Sequence, residues 1–280
     1  MPSFDTPEAI SVAAHVGAGS IRFTAGDRSD TLVEVAAQTP ESNKDVRAAE
    51  QTEVTYASGV LHIRTKERLV IGPTGAVDVT VELPTGSHVE VGGSWTQVLG
   101  EGRLGKVRVK SSGGDVRLDT TGPVHLTVSH GSIIVDRVEG AAEIATSSGS
   151  IRIGVVEGPA VLKNSHGTTT VGAATGDLRV SGSNGAIEIA RAEGSVTATN
   201  AYGALRVAEA VRGTVQLETN YGAIEVGIRN GTAAWLDVSS GKGKVRNLLS
   251  SSESPEEAED TVKVRARTRH GNIDIVRAKG

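Results

Sequence analysis

Apolar and polar residues alternate along this chain with a fixed punctuation. From Gly122 to Val245 a glycine returns about every nine residues: Gly122, Gly131, Gly140, Gly149, Gly158, Gly167, Gly176, Gly185, Gly194 and Gly203, then, after two one-residue slips, Gly213, Gly222, Gly231 and Gly241. The second and fourth residues after each glycine are mostly apolar, as in Ile133/Val135, Ile151/Ile153, Leu178/Val180, Ile187/Ile189, Leu205/Val207 and Ile224/Val226. Apolar positions two apart, rich in β-branched types, mark strands; a helix would need spacings of three and four. Glycine suits the corner between strands because it takes positive φ at no steric cost.

Two kinds of corner alternate. "SHGSIIV", "SSGSIRI", "SHGTTTV", "SNGAIEI", "AYGALRV" and "NYGAIEV" recur every 18 or 19 residues, with "VEGAAEI", "VEGPAVL" and "AEGSVTA" between them. Eighteen residues therefore make one coil of two short strands. One coil cannot bury its apolar pairs alone, but a stack of coils can. The predicted fold class is all-β: a parallel two-sheeted β-solenoid (β-helix) of about 18 residues per coil with an N-terminal β-cap, right-handed by the crossover rule. The third residue after each glycine points outward. On one sheet this gives Arg152, Thr170, Glu188, Arg206, Glu225 and Lys244, with Asp274 placed beyond Lys244. From Glu188 the signs alternate coil by coil, and opposite charges on neighbouring strands stabilise the register.

Residues 1–85 do not follow the nine-residue period. Strands are expected over Ser20 to Phe23, Leu32 to Ala36, Val54 to Tyr56, Val60 to Arg64 and Val77 to Leu83, a short helix over Lys44 to Gln51, a hairpin turn at Ala57-Ser58-Gly59 and a loop over Lys66 to Gly75. Solenoid ends need covering, so 1–85 reads as an N-terminal β-cap continuous with the solenoid of 86–280. Trp235 is expected to point inward and fill the space left by Gly243. The acidic run Ser250 to Asp260 reads as a solvated loop inserted between coils. After it Val262, Val264 and Ala266 point in, and Lys263, Arg265, Arg267 and Arg269 point out on the last coil, where basic residues guard a strand edge.

Composition agrees with a thin aliphatic core: aromatic residues are 2 % of the chain and glycines number 35. With 0 cysteines there is no disulfide framework, zinc finger or thiol chemistry. A net charge of −4 argues against general nucleic-acid binding. No stretch has the ~18 apolar residues of a membrane span, and the start lacks a basic leader, so the expected location is cytoplasmic.

Candidate chemistry changes this picture little. A glycine repeat also describes calcium-binding β-rolls, but those need recurring Asp, and here each corner has one glycine and no such Asp. Glu139, Glu157 and Glu193 precede their glycines as a solvated corner. His130 and His166 share a corner position two coils apart, too far for one zinc ion. Ser129, Ser147, Ser165 and Ser183 line that corner, but no acid stands at matching spacing to orient a histidine base. No catalytic, cofactor or metal site is predicted. One corner stands apart: His166, Asn184, Tyr202 and Tyr221 occupy equivalent places in four consecutive coils, where paired rings beside polar groups could hold a sugar or a peptide.

"DVTVELPTGSHVEV", followed by "SSGGDVRL", "SHGSIIV", "SSGSIRI" and "NYGAIEV", resembles the bacterial "putative adhesin" family of β-strand-repeat domains of unknown function. The opening "FDTPEAISVAAHVGAGSIRFTAGDRSDTLVEV" and "GIRNGTAAWLDVSSGKGKVRN" resemble its actinobacterial members. The resemblance covers nearly the whole chain and implies a β-solenoid; it carries no catalytic residues over. The expected function is a non-enzymatic scaffold or interaction module with a protein partner. Its alternatives are a self-assembling element joined through its sheet ends, and a carbohydrate-binding or carbohydrate-active β-helix. The candidate contact residues are His166, Asn184, Tyr202, Tyr221, Lys263, Arg265, Arg267 and Arg269.

Overall fold

The computed structural model describes residues 2–65, 75–249 and 260–278. The acidic run from Ser250 lies outside the described residues up to Asp260, as does the expected loop from Lys66 up to Gly75. The chain forms two compact units, Met1–Glu139 and Gly140–Gly280.

The first unit contains β1 (Ser3–Asp5), β2 (Ser11–His15), β3 (Ala18–Gly26), β4 (Asp30–Ala37), α1 (Asn43–Glu50), β5 (Thr52–Ala57), β6 (Val60–Thr65), β7 (Val77–Pro84), β8 (His88–Leu104), β9 (Val107–Gly113), β10 (Val116–Thr121), β11 (Val124–His130) and β12 (Ile133–Val138). One parallel ladder runs β6–β2–β8–β9–β11. The other runs β7–β3–β8–β10–β12. Strand β8 is long enough to serve both. Solenoid pairing thus reaches into residues 11–26, where the glycine period is absent. Strands β1, β4 and β5 add antiparallel pairings. The expected hairpin turn forms at Ser58 and Gly59, both with positive φ. Helix α1 covers part of this unit: Ala48 is buried, and the buried Asp45 carboxylate accepts from the Ala76 amide at 3.0 Å.

The second unit contains β13 (Ala142–Ser148), β14 (Ile151–Val156), β15 (Ala160–His166), β16 (Thr169–Ala174), β17 (Leu178–Asn184), β18 (Ile187–Ala192), β19 (Val196–Tyr202), β20 (Leu205–Ala210), β21 (Gly213–Tyr221), β22 (Ile224–Ile228), β23 (Ala233–Lys242), β24 (Val245–Asn247), β25 (Thr261–His270) and β26 (Ile273–Arg277). Odd-numbered strands pair in parallel with odd, and even with even, at the predicted step of 18 or 19 residues. The register is the expected one. Ile151, Ile187, Leu205 and Ile224 are 0–3 % exposed, while Arg152, Glu188 and Arg206 are exposed and Glu225 is half-buried. Fully burying such an aliphatic side chain stabilises by about 1.5–3 kcal/mol.

The corners use glycine for two reasons. Gly203 has φ +140°, and a β-carbon there would collide with the Gly185 carbonyl one coil away. Gly176 lies outside the left-handed region; there a β-carbon would come 2.7 Å from the Gly158 backbone. Close stacking of corner on corner, rather than positive φ, excludes a side chain at Gly176. At several corners of the first kind in this unit a buried polar residue stands three places before the glycine. Asn164, Asn200, Thr219 and Thr268 donate to the carbonyls of Gly149, Gly185, Gly203 and Gly222, at 3.0, 2.7, 3.3 and 3.0 Å. These bonds satisfy corner carbonyls that the ladders leave without a partner.

The end of this unit departs from the expected order. Strand β25 lies between β21 and β23, and β26 lies between β22 and β24. The coil that follows in sequence is therefore interior, and among the described strands β23 and β24 form the edge. Val262, Val264, Ala266, Ile273 and Ile275 are 0 % exposed, as interior strands should be. Three expectations are corrected with it. Trp235 points outward and is 55 % exposed. The register that sets Leu236 and Val238 against Val264 and Ala266 turns these aliphatics inward, to half-burial, and leaves Trp235 beside Lys263. Gly243 is a corner glycine, not a gap in the core: it stacks on Gly271. Lys244 is not on the charge ladder; Arg246 is, paired with Asp274, which neighbours Glu225.

Candidate interaction surface

The predicted corner residues come into register. His166 pairs with Asn184, Asn184 with Tyr202, and Tyr202 with Tyr221. Because β25 is interior, His270 follows directly on Tyr221. The Tyr202 and Tyr221 rings stack at 5.1 Å with 6° between planes, and Tyr221 and His270 at 4.6 Å with 12°. Such pairs are worth about 0.5–1.5 kcal/mol beyond their buried area. Tyr202 is 54 % exposed and Tyr221 46 %. The ring faces are largely occupied by one another, so the edges and hydroxyls are what the ladder leaves exposed. His270 itself is half-buried, with Nδ1 buried and unpartnered. The signal for it was present: "RHG" stands where "AYG" and "NYG" stand, but sequence order assigns it to a more distant coil.

The basic row is on β25 as expected, with Lys263, Arg265, Arg267 and Arg269 exposed. It occupies an interior strand, not an edge, so it does not guard the end of the sheet. Its neighbours are Thr214, Gln216 and Glu218 on β21 and Trp235, Asp237 and Ser239 on β23. Arg267 donates to the Asp237 carboxylate at 2.7 Å and to its carbonyl at 3.0 Å. Strand β25 so carries a cationic row along its length and joins the aromatic ladder at its end. On the other sheet Arg246 grips Asp274 with two bonds of 2.6 Å. That guanidinium holds the Asp274 carboxyl below its usual range, against the smaller opposing effect of burial.

His166 Nδ1 lies 3.3 Å from the backbone carbonyl of Ser147, so that imidazole nitrogen faces no hydroxyl nucleophile. Among the described residues no three His, Cys, Asp or Glu side chains are grouped to hold a metal ion. No helix of the described residues is long and apolar enough to cross a membrane.

The family model described as Toastrack DUF4097 matches residues 8–276 of the chain. The chain belongs to the Toastrack family. Solved structures similar to this Toastrack chain include one named a "putative adhesin" from Parabacteroides distasonis, 13 % identical, with TM-score 0.49, covering 98 % of this chain and 95 % of that one. A second, also so named, is from Bacteroides fragilis, 12 % identical with TM-score 0.41 over 98 % and 95 %. A third, named a "putative lipid binding protein", is from P. distasonis, 14 % identical with TM-score 0.40 over 98 % and 95 %. No curated protein matches the chain.

Proposed function

We propose that this Toastrack protein is a non-enzymatic interaction module whose contact surface is the outward side of β19, β21 and β25. One observation carries the reading. Tyr202 and Tyr221, stacked with His270, stand exposed at the end of the strand set that bears Lys263, Arg265, Arg267 and Arg269. Aromatic residues and arginine are the types that dominate interface energies, and here a parallel ladder holds them rigid before binding. The charge fits a protein partner with an acidic face. The test is a photo-crosslinking residue placed in turn at Tyr202, Arg265 and, on the other sheet, Arg152, in the native host. The expected result is one discrete adduct shared by the first two positions, absent at Arg152, and lost on Lys263→Glu plus Arg265→Glu. An adduct indifferent to those charges, or equal at Arg152, refutes the surface.

A second reading, self-association through the end of the sheet, is favoured by β23 and β24. Among the described residues their outer edges have no ladder partner, Leu236 and Val238 are only half-buried, and Val245 and Leu248 are 42 % and 65 % exposed. An apolar strand edge of this kind templates pairing with another chain. Sedimentation across a dilution series, at ionic strengths of ~50 and ~500 mM, tests it. A dimer that Leu236→Lys abolishes supports end pairing; one that Arg265→Glu plus Arg267→Glu abolishes points instead to the basic row. A monomer throughout removes both forms of self-association.

A further inference from the structure

Strand β2 has small outward residues between taller neighbours. Its outward positions are Ser11, Ala13 and His15, while Val12 and Ala14 point into the core. On one side β6 raises His62 beside Ala13 and Arg64 beside His15. On the other, β8 raises His88 beside Ser11 and Glu90 beside Ala13, with Gly92 beside His15. One strand further, Arg108 stands beside Glu90. The result is a furrow along β2, with two adjoining cavities of about 440 and 450 Å³ that share Ala13 and Glu90. Each volume lies within the usual ~300–1,000 Å³ of a small-molecule site.

The furrow's walls carry charged heads over a largely apolar surface. Arg64, Lys106 and Arg108 line it against the single carboxylate of Glu90. Among the described residues Arg64, Arg108 and Glu90 have no ion-pair partner, whereas Arg22 is paired with Glu101 and Arg103 with Glu139. His88 already accepts from the Lys106 amide at 3.0 Å, which fixes its ring. The backbone takes no part in recognition, because β2 is paired on both edges, by β6 and β8. A peptide therefore cannot add here as a strand, and the floor of Ser11 and Ala13 offers no deep apolar pocket for its side chains. What remains is side-chain recognition of a ligand rich in hydroxyls and carrying negative charge.

We propose that the β2 furrow binds an acidic, carboxylate-bearing oligosaccharide. The two arginines take carboxylates, as guanidinium does with two parallel bonds. Glu90, Ser11 and the imidazole of His62 exchange hydrogen bonds with sugar hydroxyls. This site uses none of the residues of the β21/β25 surface, so each proposal stands or falls alone.

Calorimetric titration of the full chain with trigalacturonate tests it. Its methyl ester and hexaglutamate serve as comparison ligands. Ala13→Phe fills the floor without touching a charge, and Arg64→Gln plus Arg108→Gln removes two cations without touching the floor. Saturable binding of trigalacturonate is expected, weakened on the order of tenfold or more by either change and unaltered by Arg152→Gln in the second unit. Should Ala13→Phe disturb the fold, seen in its thermal melt, the double arginine variant carries the test. No binding by the wild type overturns the proposal. Equal binding of the methyl ester overturns the role of charge, and with it the ligand class. Hexaglutamate binding as tightly overturns the sugar in favour of an acidic peptide, and full affinity in well-folded variants overturns the location.

Discussion

At the scale of single residues, the polar ladder inside the corners carries more than its size suggests. Asn200 is 7 % exposed, donates to the Gly185 carbonyl and accepts from the Ala201 amide at 3.0 Å. Truncation removes the partner of both part-buried backbone groups, which costs up to about 1–3 kcal/mol. Urea denaturation of Asn200→Ala should show that loss, whereas Thr199→Ala, exposed on the same strand, should stay within ~0.5 kcal/mol of wild type. Gly182 makes room for Asn200: a β-carbon there would lie 2.9 Å from Asn200 Oδ1. Asp274 gives a titration to follow. Its folded pKa is lowered by Arg246, below the ordinary value of about 3.9. A group depressed in this way contributes stability above its unfolded pKa, and loses it as pH falls through the lower folded value. NMR titration should therefore find Asp274 still ionised below pH ~3.9, and Arg246→Gln should bring it back toward that value.

At the scale of elements, alternation and glycine spacing made the regular coils legible. Ile187 and Glu188 sit as their offsets from Gly185 demand. The polar ladder was legible as well, in Asn164, Asn200, Thr219 and Thr268 three places before their corner glycines, but an Asn or Thr beside a corner is easily read as solvated turn chemistry, and Gly182 interrupts the series before Gly185. Two things were not legible. Trp235 follows Gly231 at an inward offset, yet a one-residue slip reverses a strand's faces, and the partner that fixes its register, β25, is remote in sequence. Strand order was hidden for a related reason. Periodicity gives the length of a coil but not which coil stacks on which, so Lys263 to Arg269 was assigned to an end it does not occupy. The β2 furrow escaped because Ser11 and Ala13 mean little until β6 and β8 flank them. With no native cysteine, crosslinking can test the order cleanly. Gln216 and Arg265 are ladder partners, while Gln216 and Asp237 lie two strands apart. Neighbouring strands are ~4.8 Å apart, and a disulfide needs Cα atoms within about 7 Å. Gln216→Cys with Arg265→Cys should oxidise to a bond, and Gln216→Cys with Asp237→Cys should not; the reverse result would restore sequential order.

At the scale of the whole molecule, each unit rests on aliphatic layers closed by backbone ladders, and no described cluster of ligands asks for a metal. Thermal melts with and without a chelator should share one midpoint; a drop of several degrees on chelation would reveal an ion that the fold uses. The interior position of β25 has a further consequence, in time rather than space. A ribosome adds ~5–20 residues per second, so β23 is made roughly one to four seconds before β25. In that interval the free edge of β21 is open to β23. Any such early pairing must later be displaced, because the finished ladder has β25 there. The burial on each side gives the direction: Val262, Val264 and Ala266 are fully enclosed, whereas Leu236 and Val238 reach only half-burial at the rim. Synthesis can thus pass through an arrangement that equilibrium discards, and a chain halted between residues 247 and 261 would be left holding the discarded one.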